Sequence, residues 1–82
     1  MEKGIGKLLD KAKNGLHGLK FTELEKICRY YFGAPRQNRG SHQIYTTPWQ
    51  GDPRINIQNN NGKAKFYQVK QVLQAIEKLE RD

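Results

Sequence analysis

The apolar residues of this chain change period twice, and that double switch restricts the fold more than any other feature. Ile5, Leu8, Leu9 and Ala12 fall at i, i+3, i+4 and i+7, the spacing of one helical face. Asn14 and Gly15, which tolerate positive φ, end this first helix. A second helix is expected to open at Thr22 with Glu25 three residues on, a capping-box pattern with Phe21 just before it. Its inward face is Leu24, Ile27, Cys28 and Tyr31, and Gly33 stops it. The spacing then becomes strand-like. "PRQNR" suits a short edge strand, because Pro35 is tolerated there and not centrally. "SHQIYTT" is rich in β-branched and aromatic residues, and "RINIQ" alternates Ile55 and Ile57 with polar neighbours. Residues 48–53, with Gly51-Asp52 inside, read as a turn, and "NNNG" at 59–62 as a loop. Helical spacing returns from about Phe66 to Leu79, with Val69, Val72, Leu73, Ile76 and Leu79 along one side.

The predicted order is α-α-β-β-β-α, an α-β-β-β-α core with an additional N-terminal helix. Three antiparallel strands with helices on one face make an α+β two-layer sandwich, and the other sheet face is left to solvent. Double-stranded-RNA-binding domains share this order, which by itself says little about function. With 82 residues the chain holds one core, hence a single domain: 1–19 as helix and connection, 20–82 as the α-β-β-β-α core. No stretch approaches the roughly 20 apolar residues of a bilayer span. Residues 1–6 carry charge without an apolar run, so the cytoplasm is the expected location.

Charge narrows the partners. The formal net charge is +7, and positions 29–70 hold seven basic residues against the single acid Asp52. The flanks are almost neutral. A surplus concentrated in this way favours a polyanion such as nucleic acid. The lone Cys28 excludes an internal disulfide and a Cys-type zinc site, and its apolar neighbours mark it as a buried helix residue. The two histidines, at 17 and 42, are far apart without acidic companions, so no metal or cofactor is expected.

The most specific stretch is "RQNRGSHQIY" at 36–45, preceded by a helix ending "YYFGA". A second is "INIQNNNGKAKFYQVKQVLQAI" at 55–76. In these, and in their order and spacing, the chain resembles the HicA (YcfA-like) toxin family over about residues 5–79. The resemblance implies a metal-independent ribonuclease that cleaves single-stranded messenger RNA and is held inactive by a HicB-type antitoxin. The family's catalytic histidine falls on His42, and the Gly-Ser before it on Gly40 and Ser41. The intervening "TTPWQGDPR" does not follow the family pattern.

Read without the resemblance, His42 is a polar residue opening a strand whose ordinary pKa, about 6.5, suits both proton acceptance and donation. RNA carries its own nucleophile, the 2′-hydroxyl. Cleavage therefore needs a base for that proton and cations for the phosphorane, which His42 with Arg36, Arg39 or Lys65 can provide. Gly40 lets backbone approach a phosphate. Lys65 and Lys70, flanking the start of the last helix, are further phosphate contacts. Tyr45 and Lys65 are candidates for the proton donor to the leaving oxygen, beside water. Alternation leaves His42's face open: if Ile44 is core, His42 points toward the helices unless Gly40-Ser41 bends the chain, and if Tyr45 is core, it lies on the open face. Trp49 can stack on a base or close the core, and His17 is read as a surface residue. Two other functions fit the same residues: a non-catalytic RNA-binding module, and a protein-interaction domain with a basic face.

Overall fold

The three helical stripes become α1 (Lys3–Asn14), α2 (Phe21–Phe32) and α3 (Phe66–Arg81) in a computed structural model that describes residues 3–15, 18–49 and 54–81. The alternating segments become β1 (Gln37–Arg39), β2 (His42–Tyr45) and β3 (Ile55–Asn60). A fourth strand, β4 (Lys63–Ala64), completes an antiparallel sheet of order β1-β2-β3-β4. The result is a small α+β protein of order α-α-β-β-β-β-α.

The extra strand corrects the reading of 59–62 as a loop. Asn61 (φ 55°) and Gly62 (φ 86°) both lie in the left-handed region, the Asn-Gly turn that matches strand twist in a two-residue hairpin. Asn59 Oδ1 accepts the Gly62 N–H at 2.6 Å and steadies the turn. On its far side β4 meets the chain entering α2: Ala64 N–H donates to Leu19 O, and Phe21 N–H to Gly62 O, each at 3.0 Å. The edge is thereby covered.

The start of α2 also differs from the expected Thr22–Glu25 box. The cap lies two residues earlier, with Lys20 at the N-cap and Phe21 as the first helical residue. Glu23 Oε1, at N3, accepts the Lys20 N–H at 3.0 Å, and both Glu23 carboxylate oxygens lie 2.9 Å from Lys11 Nζ on α1. The Lys20 ammonium has no lone pair to return the capping bond, so only half of the motif exists. Phe21 prefers the core to the position outside the helix, and its burial sets the boundary.

Packing follows the stripes. Ile5, Leu9 and Ala12 of α1, Leu24, Ile27 and Cys28 of α2, and Val69, Val72 and Ile76 of α3 share one core with Tyr45, Ile55 and Ile57. Each fully buried Leu or Ile contributes on the order of 1.5–3 kcal/mol over its exposed state. Helices α2 and α3 pack on β3, and α1 lies across α2 and α3. Among the described residues the helices cover one sheet face. Among the described residues no helix is long and apolar enough to cross a membrane. The turn read at 48–53, beyond Trp49, and the surface position of His17 lie outside the described residues.

Candidate functional site

The open sheet face is built around the β1–β2 hairpin. Gly40 and Ser41 are its two turn residues, and Arg39 pairs with His42 across it. Gly40 has φ 54° while Ser41 does not share the positive φ, as in a hairpin turn with glycine at its first central position. An added Cβ at Gly40 meets nothing within 4 Å, so the backbone there is open to solvent. Ser41 O accepts the Asn59 N–H at 2.8 Å, which ties the turn to β3.

The registers decide which way His42 faces. Tyr45 and Gln43 are buried, so the alternate residues His42 and Ile44 lie on the other side, and His42 is exposed. Arg39 and Gln58 stand directly opposite His42 on the two neighbouring strands. Directly paired residues share a face, with Cβ atoms roughly 5 Å apart. By the same alternation Asn60 follows Gln58 on this face, and Lys63 faces Asn60 from β4. The charged strand residues of the face are Arg39 and Lys63, and no described strand residue adds a carboxylate. A neutral imidazole there can accept a proton, and the cations can hold an anion beside it.

Beneath the strand, a buried polar chain holds it in place. The Tyr45 hydroxyl donates to Gln43 Oε1 at 2.7 Å, Gln43 Nε2 donates to Glu25 Oε2 at 2.6 Å, and Arg29 approaches the same oxygen at 3.4 Å. Burial holds the Tyr45 phenol well above its ordinary pKa, with the Cys28 thiol and the Glu25 carboxylate adding and Arg29 opposing. Tyr45 is therefore corrected from proton donor to core residue: it is on the wrong face and holds its proton. Burial also pushes the Cys28 thiol up to about 12, with Glu25 adding, so it stays protonated and inert near neutrality.

A second buried amide supports the strand opposite His42. Gln68 of α3 is buried, and its Oε1 accepts the Gln58 N–H at 2.8 Å. That N–H lies where the short β4 has ended, so the side chain replaces a missing strand partner. Neither Gln43 nor Gln68 was singled out from the sequence. Both carried a signal: Gln43 alternates with Tyr45, and Gln68 falls on the stripe through Val72, Ala75 and Ile76.

The other expected cations are dispersed. Arg36 is exposed, and its N–H donates to Ile44 O at 2.7 Å. That fixes it at the far end of β1, roughly 10 Å of strand from Arg39. Lys65 precedes α3, its carbonyl accepting the Gln68 and Val69 N–H groups at 3.0 Å, and its Nζ lies 5.9 Å from the Tyr67 ring centre. Lys70 is exposed in the next turn of α3. Lys65 directly follows β4 and Lys70 lies on α3, whereas Gly40, Ser41 and Arg39 adjoin His42. Trp49 is half-buried against the core, with Lys78 Nζ 4.5 Å from its ring centre.

Lys63 and Lys65 also line a surface cavity of about 370 Å³ with Asn60, Ala64, Phe66 and Tyr67. Both of its aromatic rings are half exposed. Among the described residues no three His, Cys, Asp or Glu side chains converge as metal ligands. Comparison with known proteins identified no matching family model, no similar curated protein and no similar solved structure.

Proposed function

We propose that the protein is an endoribonuclease of the HicA type, the toxin of a cytoplasmic toxin–antitoxin pair, which cuts single-stranded messenger RNA without a metal. The observation that carries this reading is the exposed imidazole of His42 paired across a tight turn with Arg39, on a sheet face whose charged strand residues are all cations. The element order, with β4 as an addition, fits a double-stranded-RNA-binding-like α-β-β-β-α core behind an extra helix. The motif "GSHQIY" and the stretch at 55–76 supply the likeness to the HicA family.

In the proposed reaction His42 removes the proton of a ribose 2′-hydroxyl. The 2′-oxygen bonds to the adjacent phosphorus, the bond to the 5′-oxygen breaks, and that oxygen takes a proton from water. The products are a 2′,3′-cyclic phosphate and a 5′-hydroxyl. Arg39 sits where it can stabilise the charge gathered on the non-bridging oxygens. Gly40 and Ser41 set the backbone of the turn, and Arg36, Lys65 and Lys70 hold the strand away from the cut. A HicB-type antitoxin is the proposed partner, covering the same cationic face.

The test is RNA cleavage in EDTA by the wild type and by His42→Ala. The wild type is expected to produce cyclic phosphate ends, and the variant to lose cutting while its circular dichroism is unchanged. Undiminished cleavage by the variant, or 3′-hydroxyl ends, overturns the proposal. Retained RNA binding with no product from either protein points instead to a non-catalytic RNA-binding module.

A further inference from the structure

We infer that the cavity between the β3–β4 hairpin and the first turn of α3 is a stacking subsite for an unpaired nucleobase, placed beside the cationic face that carries His42. The inference rests on the reading of that face as an RNA surface and adds where the strand goes after it leaves His42.

Three independent features meet there. Phe66 and Tyr67 are each 48% exposed at the start of a helix whose other large apolar residues are buried or half-buried. Their rings sit edge-to-face at 5.9 Å, and Lys65 Nζ stands 5.9 Å from the Tyr67 ring centre, a cation already placed on an aromatic surface. Lys63 and Lys65 line the cavity, and among the described residues no carboxylate does. Lys70 follows Phe66 by four residues and Tyr67 by three, the spacing of neighbours on one helix surface.

The cavity is also continuous with the catalytic candidate. Gln58 stands opposite His42, Asn60 comes two residues further on the same face, and Asn60 lines the cavity. From cross-strand and along-strand spacings, His42 and Asn60 are roughly 8–9 Å apart at Cα. An unpaired nucleotide chain crossing His42 reaches the aromatic pair within one or two residues. Flat aromatic rings among lysines suit any base with an open π-face. A paired base hides its faces in the stack, so the subsite selects single strands.

The test uses fluorescence anisotropy with a 2′-O-methyl hexa-adenylate, which lacks the attacking hydroxyl and cannot be cut. A matched hexamer of abasic nucleotides is the second probe. Tyr67→Leu and Phe66→Leu keep apolar bulk and helix propensity but remove the π-face, and Tyr67→Phe restores it. The leucine variants are expected to bind the hexa-adenylate about 5- to 100-fold more weakly, with Tyr67→Phe close to wild type. Binding of the abasic strand should be weak and equal in all four proteins. Unchanged affinity in both leucine variants overturns the inference, as does an equal loss on the abasic strand. Failure of the wild type to bind the hexa-adenylate also overturns it and leaves the aromatic pair to a protein partner. The readout is separate from cleavage: cutting that survives His42→Ala defeats the enzymatic reading and leaves these outcomes unaffected.

Discussion

Gln43 Nε2 donates to Glu25 Oε2 at 2.6 Å across the helix–sheet interface, one residue along the strand from the exposed His42. A strand turns over by one face per residue, so anchoring Gln43 to α2 holds His42 outward. The same amide accepts from Tyr45 at 2.7 Å, and the two buried groups satisfy each other. Strand orientation is therefore set by hydrogen bonds to the core as well as by apolar burial.

The Tyr45 hydroxyl is expected to matter for stability and not for cleavage. Tyr45→Phe leaves Gln43 Oε1 without its donor in a buried place, a loss of about 1–3 kcal/mol. For a domain this small that lowers Tm by roughly 4–8 °C per kcal/mol. Thermal unfolding followed by circular dichroism measures it. RNA cleavage well below the melting range should stay within about twofold of wild type.

Arg39→Ala removes the cation paired with His42 across the turn. On the proposed reaction, cleavage is expected to fall about 10²–10³-fold, as when a preorganised charge-stabilising donor is lost. Thermal stability should move by less than about 0.5 kcal/mol, because the residue is exposed. Initial cleavage rates against Tm separate the two effects. Equal rates for Arg39→Ala and wild type remove Arg39 from the mechanism.

The Gly40 turn tests backbone strain in an uncrowded place. A Cβ there meets no atom within 4 Å, but φ 54° disfavours L side chains. Gly40→Ala is expected to destabilise by about 1–2 kcal/mol, and Gly40→Asn by less, because Asn tolerates the left-handed region. Urea unfolding gives both values. If alanine is harmless, the turn is not held in this conformation in solution.

Acid should loosen the α1–α2 contact. The Lys20 N–H, and then Lys11, hold the Glu23 carboxyl below its ordinary value of 4.5, against opposing desolvation. A lowered folded-state pKa contributes stability that is complete above the unfolded value and is lost as pH falls through the folded one. Glu23→Gln keeps an acceptor without a titrating charge. Its unfolding free energy should therefore depend less steeply on pH than wild type between about pH 3 and 5. Identical slopes from urea titrations in that window contradict the assignment.

The helices were the legible part of this fold. Their stripes, from Ile5 to Ala12 and from Val69 to Ile76, depend on local periodicity, and the structure keeps each of them. The edge position of β1 was legible from Pro35. What local pattern leaves undecided is where an element meets its neighbours. Local pattern names Thr22 as N-cap, and burial of Phe21 with the Lys11–Glu23 contact moves the cap to Lys20. "NNNG" reads as a loop until Leu19 and Phe21 supply partners for a two-residue strand.

The candidate site divides in the same way. The likeness of Gly40-Ser41-His42 to the HicA pattern singled out His42, and the proton-transfer chemistry of an imidazole agrees with that role without demanding it. Alternation reduced its direction to two choices and could not choose, because Ile44 and Tyr45 are both plausible core residues. Tertiary packing chose Tyr45, which is fully buried while its neighbour Gln43 is anchored to Glu25 on α2, and so turned His42 to the open face. Pairing register then brought Arg39 beside His42, with Arg36 three residues back along the chain. Periodicity belongs to one segment and is written in it. Proximity belongs to pairs of segments, and it exists only once the chain has closed on itself.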